Sequence, residues 1–170
     1  NIENSYKSLI ESYKYTKKYN LKGIINLPIN KEKIIKNING KFIGQTEFYQ
    51  KIDNKKTSNM IFIYKKLIIT TLTTHIEINK ITQNLSKKNI IYNKIMSLNK
   101  ILINLLKNKK PKFIISGINP HASENSIFGD HEEKILIPQI KKIQKKQIKI
   151  TGPFSADSML NNINLKKYDC

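Results

Sequence analysis

Short β-rich runs that stop at Gly or Pro alternate along this chain with stretches whose apolar residues recur at helical spacing, and that alternation admits few architectures. Residues 22 to 27 form an apolar run ending at Pro28 and read as a buried strand. Residues 59 to 64 and 67 to 73 are two β-rich runs separated by Lys65-Lys66, a hairpin whose second strand delivers Thr73-Thr74-His75. Lys112 to Gly117 and residues 148 to 151 predict two more strands. An opening helix places Tyr6, Leu9, Ile10 and Tyr13 on one face, and helical spacing resumes from Lys31 to Ile38. Asn79 to Leu106 reads as two helices broken near Ser86, with Ser86 capping the second. A further helix runs from Glu132 to about Lys146, with Pro138 placed early enough to kink it. The class is α/β, with a mostly parallel sheet that includes an antiparallel pair.

The net charge of +19 would ordinarily point to a nucleic-acid or membrane partner. All 31 basic residues are lysines, however; Val is absent, and Ala occurs only at 122 and 156. Such skew is what an AT-rich genome writes. A binder of phosphates and base edges is expected to keep some Arg, whose planar fork pairs with both. The lysines are also scattered, so neither nucleic acid nor membrane is expected, with a Lys-rich nucleic-acid-binding module left as a distant alternative. No apolar run approaches about 18 residues, and a single cysteine, Cys170, leaves no disulfide within the chain; a cytoplasmic setting fits. With no initiator Met and an opening inside a helix, the chain reads as an internal fragment.

Two of the three histidines follow strands: His75 after Thr-Leu-Thr-Thr, and His121 within Gly117-Ile-Asn-Pro-His-Ala-Ser-Glu124. Neutral imidazoles from separate strand ends can begin a metal site of three protein ligands. Each can equally cap a strand or bond a neighbouring carbonyl. Gly and Asn-Pro force a sharp turn that would hold the His121 imidazole in one direction. Gly44-Gln-Thr-Glu-Phe48 offers Gln45 and Thr46 to a polar substrate, or is an ordinary helix N-terminus. Thr151-Gly-Pro-Phe-Ser-Ala-Asp157 leads a strand into a carboxylate that can accept a proton or support a metal, or simply cap the next helix. No Gly-x-Gly-x-x-Gly, Walker loop, Gly-x-Ser-x-Gly elbow or Cys-x-x-Cys pair is present.

In order, Leu27-Pro-Ile-Asn-Lys31, Gly44-Gln-Thr-Glu-Phe-Tyr49, Thr73-Thr-His75, Gly117-Ile-Asn-Pro-His-Ala-Ser-Glu124 and Gly152-Pro-Phe-Ser-Ala-Asp157 resemble the 4-hydroxythreonine-4-phosphate dehydrogenase family of pyridoxal phosphate biosynthesis. Phe128-Gly129, Glu132-Glu133 and Ile137-Pro138 add to the match, which runs across nearly the whole chain. The resemblance implies a fold akin to isocitrate and isopropylmalate dehydrogenases, truncated here at both ends, with residues 1–170 as the central portion of a two-domain enzyme. It implies a homodimer with an interfacial active site and an NAD (or NADP) site without the glycine fingerprint. The implied reaction is oxidation of 4-phosphooxy-L-threonine to a β-keto acid that decarboxylates to 3-amino-2-oxopropyl phosphate, aided by a divalent metal (Zn, Mg or Co).

By motif match, His75 and His121 are two metal ligands, Gln45 and Thr46 contact the phosphorylated hydroxy amino acid, and Asp157 is catalytic. The family's third ligand is a His in a Tyr-His-Asp-Gln stretch, expected beyond the strand that begins near Tyr168. Gln45 stands where the family usually has a His; it can hydrogen-bond but cannot shuttle a proton. Asn26-Leu27 brings bulk in front of Pro28, where the family tends to have a Thr and a small residue. An incomplete working enzyme and a decayed copy of it both fit these departures.

Overall fold

The computed structural model describes residues 1–159 and 166–170. They divide into two compact units, Asn1–Lys56 and Thr57–Cys170.

The first unit is helical. α1 (Ile2–Lys18) starts under Asn1, whose side chain accepts from the Glu3 amide at 3.0 Å, and it ends with Lys17 and Lys18 in the last turn, complementing the helix dipole. α2 (Lys31–Asn37) is capped by Asn30, which accepts from the Lys33 amide at 3.0 Å. α3 (Gln45–Ile52) begins after Gly44. Leu9, Ile34 and Phe42 are buried together, with Tyr6 and Phe48 set edge-on around them at 5.6 Å between ring centres. The apolar run at 22–27 is no strand here: it is irregular, and Ile25 and Leu27 are 101% and 81% exposed. A strand needs a neighbour to take its N–H and C=O groups, and the described residues of this unit include none.

The second unit carries the sheets. β1 (Ile61–Tyr64) and β2 (Leu67–Thr70) form the expected antiparallel hairpin, with Lys65 at φ 54° supplying the turn that Asn or Gly usually provides. β2 ends at Thr70, so His75 lies five residues beyond the strand rather than at its end. β3 (Lys112–Ser116) and β4 (Lys149–Phe154) pair in parallel, from Lys112 against Lys149 to Ser116 against Phe154. On β3, the Asp169 amide donates to Lys112 O at 2.8 Å and the Ile114 amide to Cys170 O at 2.9 Å, so the last described residues also bond along that strand.

Two helices cover this sheet. α5 (Ile90–Leu106) buries Ile91, Ile95, Leu98 and Leu102, one stripe at helical spacing. α6 (Ile137–Gln144) buries Ile140 and Ile143 against the same core as Phe113, Ile115 and Ile150. The break before α5 falls where expected, but Ser86 does not cap it. Ser86 ends α4 (Ile81–Leu85) and donates back to Thr82 O at 2.7 Å. The free amides of α5 are taken instead by Gln139 of α6, whose Oε1 accepts from Ile91 and Tyr92 at 3.1 and 3.3 Å while Nε2 donates to Leu85 O at 3.1 Å. Just ahead of Pro138, Glu132–Leu136 forms a π turn in which the Ile137 amide bonds Glu132 O; the helix widens where proline removes a donor.

β4 is held close to β3 by Gly152, at φ 133°, where a Cβ would stand 2.4 Å from Ile115 O. The register of the pair shifts between Ile114 and Ser116 beside it. That shift lets both strands end at one level, from which the loops of the candidate site emerge.

Candidate functional site

β3 runs into Gly117, Ile118 and Asn119, then a tight turn over Pro120–Ser123 that carries His121. The loop is tied down by Glu132, a carboxylate only 2% exposed. Its Oε1 accepts from the Ile118 and Asn119 amides, both at 2.7 Å; its Oε2 accepts from Asn119 Nδ2 at 3.1 Å and from the Ser123 hydroxyl. Burial alone would push the carboxyl up, but these bonds outweigh it and hold the group below its ordinary value, so it is ionised at neutral pH. Gly117 makes the approach feasible: a Cβ there would sit 2.7 Å from Ala122 Cα and 3.1 Å from Glu132 Oε1.

His121 through Ser126 all take positive φ, between 40° and 71°. That left-handed conformation costs L-residues roughly 1–2 kcal/mol each and persists where surroundings over-determine it. The His121 ring is exposed and tilts against Phe128 at 6.3 Å between centres. Asn119 Nδ2 also lies 3.3 Å from His131 Nδ1.

β4 leads to Ser155 and α7 (Ala156–Met159), with Asp157 in the first turn. Asp157 accepts from the Ser155 hydroxyl and, at 2.7 Å, from the Ser158 amide. These two bonds hold its carboxyl below the ordinary Asp value. α7, which carries Asp157, packs against the Pro120–Ser123 turn that carries His121. Asp157 lies within the first turn of α7 and bonds its own neighbours at the helix start.

His75 lies in the loop after β2, exposed and, like His121, at positive φ (52°). Gln45 and Thr46 occupy the first turn of α3 in the other unit; Gln45 Nε2 donates to Leu27 O at 3.2 Å, a bond that braces the Pro28 loop. The helix-N-terminus reading of Gly44–Phe48 thus describes the local structure.

Imidazoles and a carboxylate are the donor types that a borderline divalent cation takes. Among the described residues, however, no three His, Cys, Asp or Glu side chains converge as a metal site. Nor is any helix among them long and apolar enough to cross a membrane. A cavity of about 460 Å³ lies between β2 and β3, but its lining, including Ile68, Leu72, Ile95, Phe113 and Cys170, is mainly apolar and lacks the convergent polar groups of the His121 loop.

Sequence reasoning missed Glu132, Asn119 and Ser123 as the groups that shape the site. Glu132-Glu133 opening a helix after a polar loop is an ordinary pattern, and nothing in the local spacing says that the first carboxylate turns inward.

Known proteins are similar to this chain in sequence and fold. The 4-hydroxythreonine-4-phosphate dehydrogenase of Sulfurihydrogenibium sp. is 32% identical over 94% of this chain and 47% of its own length. That of Wigglesworthia glossinidia brevipalpis is 35% identical over 86% of this chain and 43% of its own. The chain thus spans about half the length of these relatives. The crystal structure of 4-hydroxythreonine-4-phosphate dehydrogenase from Klebsiella pneumoniae superposes with a TM-score of 0.82 at 23% identity, covering 96% of this chain and 50% of that one, and so shares the α/β fold. The family model described as "Pyridoxal phosphate biosynthetic protein PdxA" matches residues 1–170, the whole of the chain, and the chain belongs to that family.

Proposed function

We propose that the protein containing this chain is an NAD-linked, divalent-metal-dependent dehydrogenase that oxidises 4-phosphooxy-L-threonine in pyridoxal phosphate synthesis. The observation that carries the reading is the clamped loop at the end of β3, which presents an exposed His121 on a turn packed against α7, the helix of Asp157. Family membership supports the reaction class.

When bound, the nicotinamide supplies a hydride acceptor and the cation lowers the cost of an alkoxide and steadies the carbonyl that replaces it. His75 and His121, as neutral imidazoles, would hold the cation. As the secondary alcohol gives up its hydride, its hydroxyl proton passes to the Asp157 carboxylate, which the Ser155 hydroxyl and Ser158 amide orient and keep ionised. The resulting β-keto acid loses carbon dioxide, leaving 3-amino-2-oxopropyl phosphate. Gln45 and Thr46 would hydrogen-bond the substrate; Gln45 orients without carrying charge. A homodimer with its site at the subunit interface completes the reading.

The test is the NAD-reduction assay of the full-length protein with 4-phosphooxy-L-threonine and Zn²⁺. Activity that falls at least about 100-fold in Asp157→Asn and in His121→Ala is expected, the range of a lost acid-base group. A folded wild-type protein with no turnover would instead identify a decayed copy, and turnover untouched by either substitution would remove these residues from the mechanism.

A further inference from the structure

We propose that Glu132 is a positioning residue of this site, its buried carboxylate setting the direction in which the loop presents His121. The inference deepens the proposed function, resting on it only where His121 is read as a cation ligand.

An ionised carboxylate offers about four acceptor positions and no donor. All four are taken by donors of one loop: the Ile118 and Asn119 amides, the Asn119 side chain and the Ser123 hydroxyl. Two of these residues precede His121 and one follows it, so the backbone on both sides of the imidazole is tied to a single group. Between the ties, His121 and Ala122 hold φ 51°, a conformation that isolated L-residues leave readily. The carboxylate itself is fixed by the π turn from which it projects, packed beside buried Ile135 and Leu136. Removing it frees two backbone amides and releases a loop held in an unfavourable conformation. Buried donors left unpaired, rather than a lost contact with any ligand, are what the loop would escape by rearranging.

Glutamine separates charge from shape. Glu132→Gln keeps an oxygen for the two backbone amides but turns an NH₂ toward Asn119 Nδ2, donor against donor, so half of the clamp survives. Alanine removes all of it.

The experiment uses the full-length protein with two readouts: Co²⁺ titration followed by the visible ligand-field bands, and hydrogen exchange at the Ile118 and Asn119 amides. Glu132→Ala is expected to weaken Co²⁺ binding by about tenfold or more and to alter the band shape, with Glu132→Gln intermediate, while both variants keep a cooperative unfolding transition. Exchange at the two amides should quicken in the same order. His121→Ala should abolish the Co²⁺ bands but leave both amides protected. Co²⁺ spectra and affinity unchanged in the Glu132 variants would overturn the proposal. Should wild type bind no Co²⁺, the cation reading of His121 falls, and exchange alone decides: amides as protected in Glu132→Ala as in wild type sink the clamp. If Glu132→Ala does not fold, Glu132→Asp, whose shorter arm withdraws the carboxylate from both amides, carries the same decision.

Discussion

At the scale of single residues, the loop that carries His121 holds side chains where the backbone would favour none. Ser126 sits at φ 71° with its hydroxyl buried and lacking a hydrogen-bond partner among the described residues. Ser126→Gly removes both penalties, and against them stands the extra entropy that glycine gives the unfolded chain. A net gain of about 1 kcal/mol is expected, read as a higher denaturant midpoint at constant slope. In the helical unit, Asp53 gathers the Lys17 ammonium at 2.6 Å and the Tyr13 hydroxyl at 2.9 Å. The bonds from Lys17 and then Tyr13 lower its pKa from the ordinary 3.8, while Asp53 raises that of Lys17 above 10.5. The depressed acid contributes stability above pH 3.8 that disappears as pH falls through its folded value; the raised Lys17 contributes stability below pH 10.5 that disappears as pH rises through its own. In Asp53→Asn both dependences should flatten, monitored through the NMR shifts of α1. Equal pH curves for the two proteins would show that the triad does not couple to folding.

At the scale of elements, polar side chains reaching from one element to another fasten the second unit where local capping falls short. α5 begins at Asn89, which makes no side-chain cap, and Gln139 supplies the acceptor from α6. Gln139→Ala therefore acts as the loss of an N-cap, costing about 1–2 kcal/mol, and chemical denaturation should record it with faster exchange at Ile91 and Tyr92. A substitution at Ser86, which caps nothing in α5, should leave those two amides unchanged. The hairpin and the β3–β4 pair were legible because strand periodicity and turn spacing are local properties. The run at 22–27 has the same local character, yet has no strand partner in its unit.

Across the whole molecule, the charge of +19 is the dominant long-range term. Its lysines repel one another through solvent, and among the described residues some meet acids, as at Lys36–Glu32 and Lys80–Glu77. Exposed pairs of this kind contribute little. Raising monovalent salt from low to physiological strength should therefore increase the thermal midpoint, because screening relieves repulsion more than it weakens these pairs. A midpoint that drops with salt would mean that ion pairs outweigh the repulsion.

The sequence by itself determined the α/β class, the hairpin and the buried stripe of α5. Each follows from apolar spacing or from Gly and Pro within a few residues. Only the tertiary structure decided that residues 22–27 stay outside any strand, that Gln139 rather than Ser86 completes α5, and that Glu132 turns inward to hold the His121 loop. The physical reason is that a hydrophobic pattern is written along the chain, whereas the partner of a buried polar group is whatever the fold brings within about 3 Å of it.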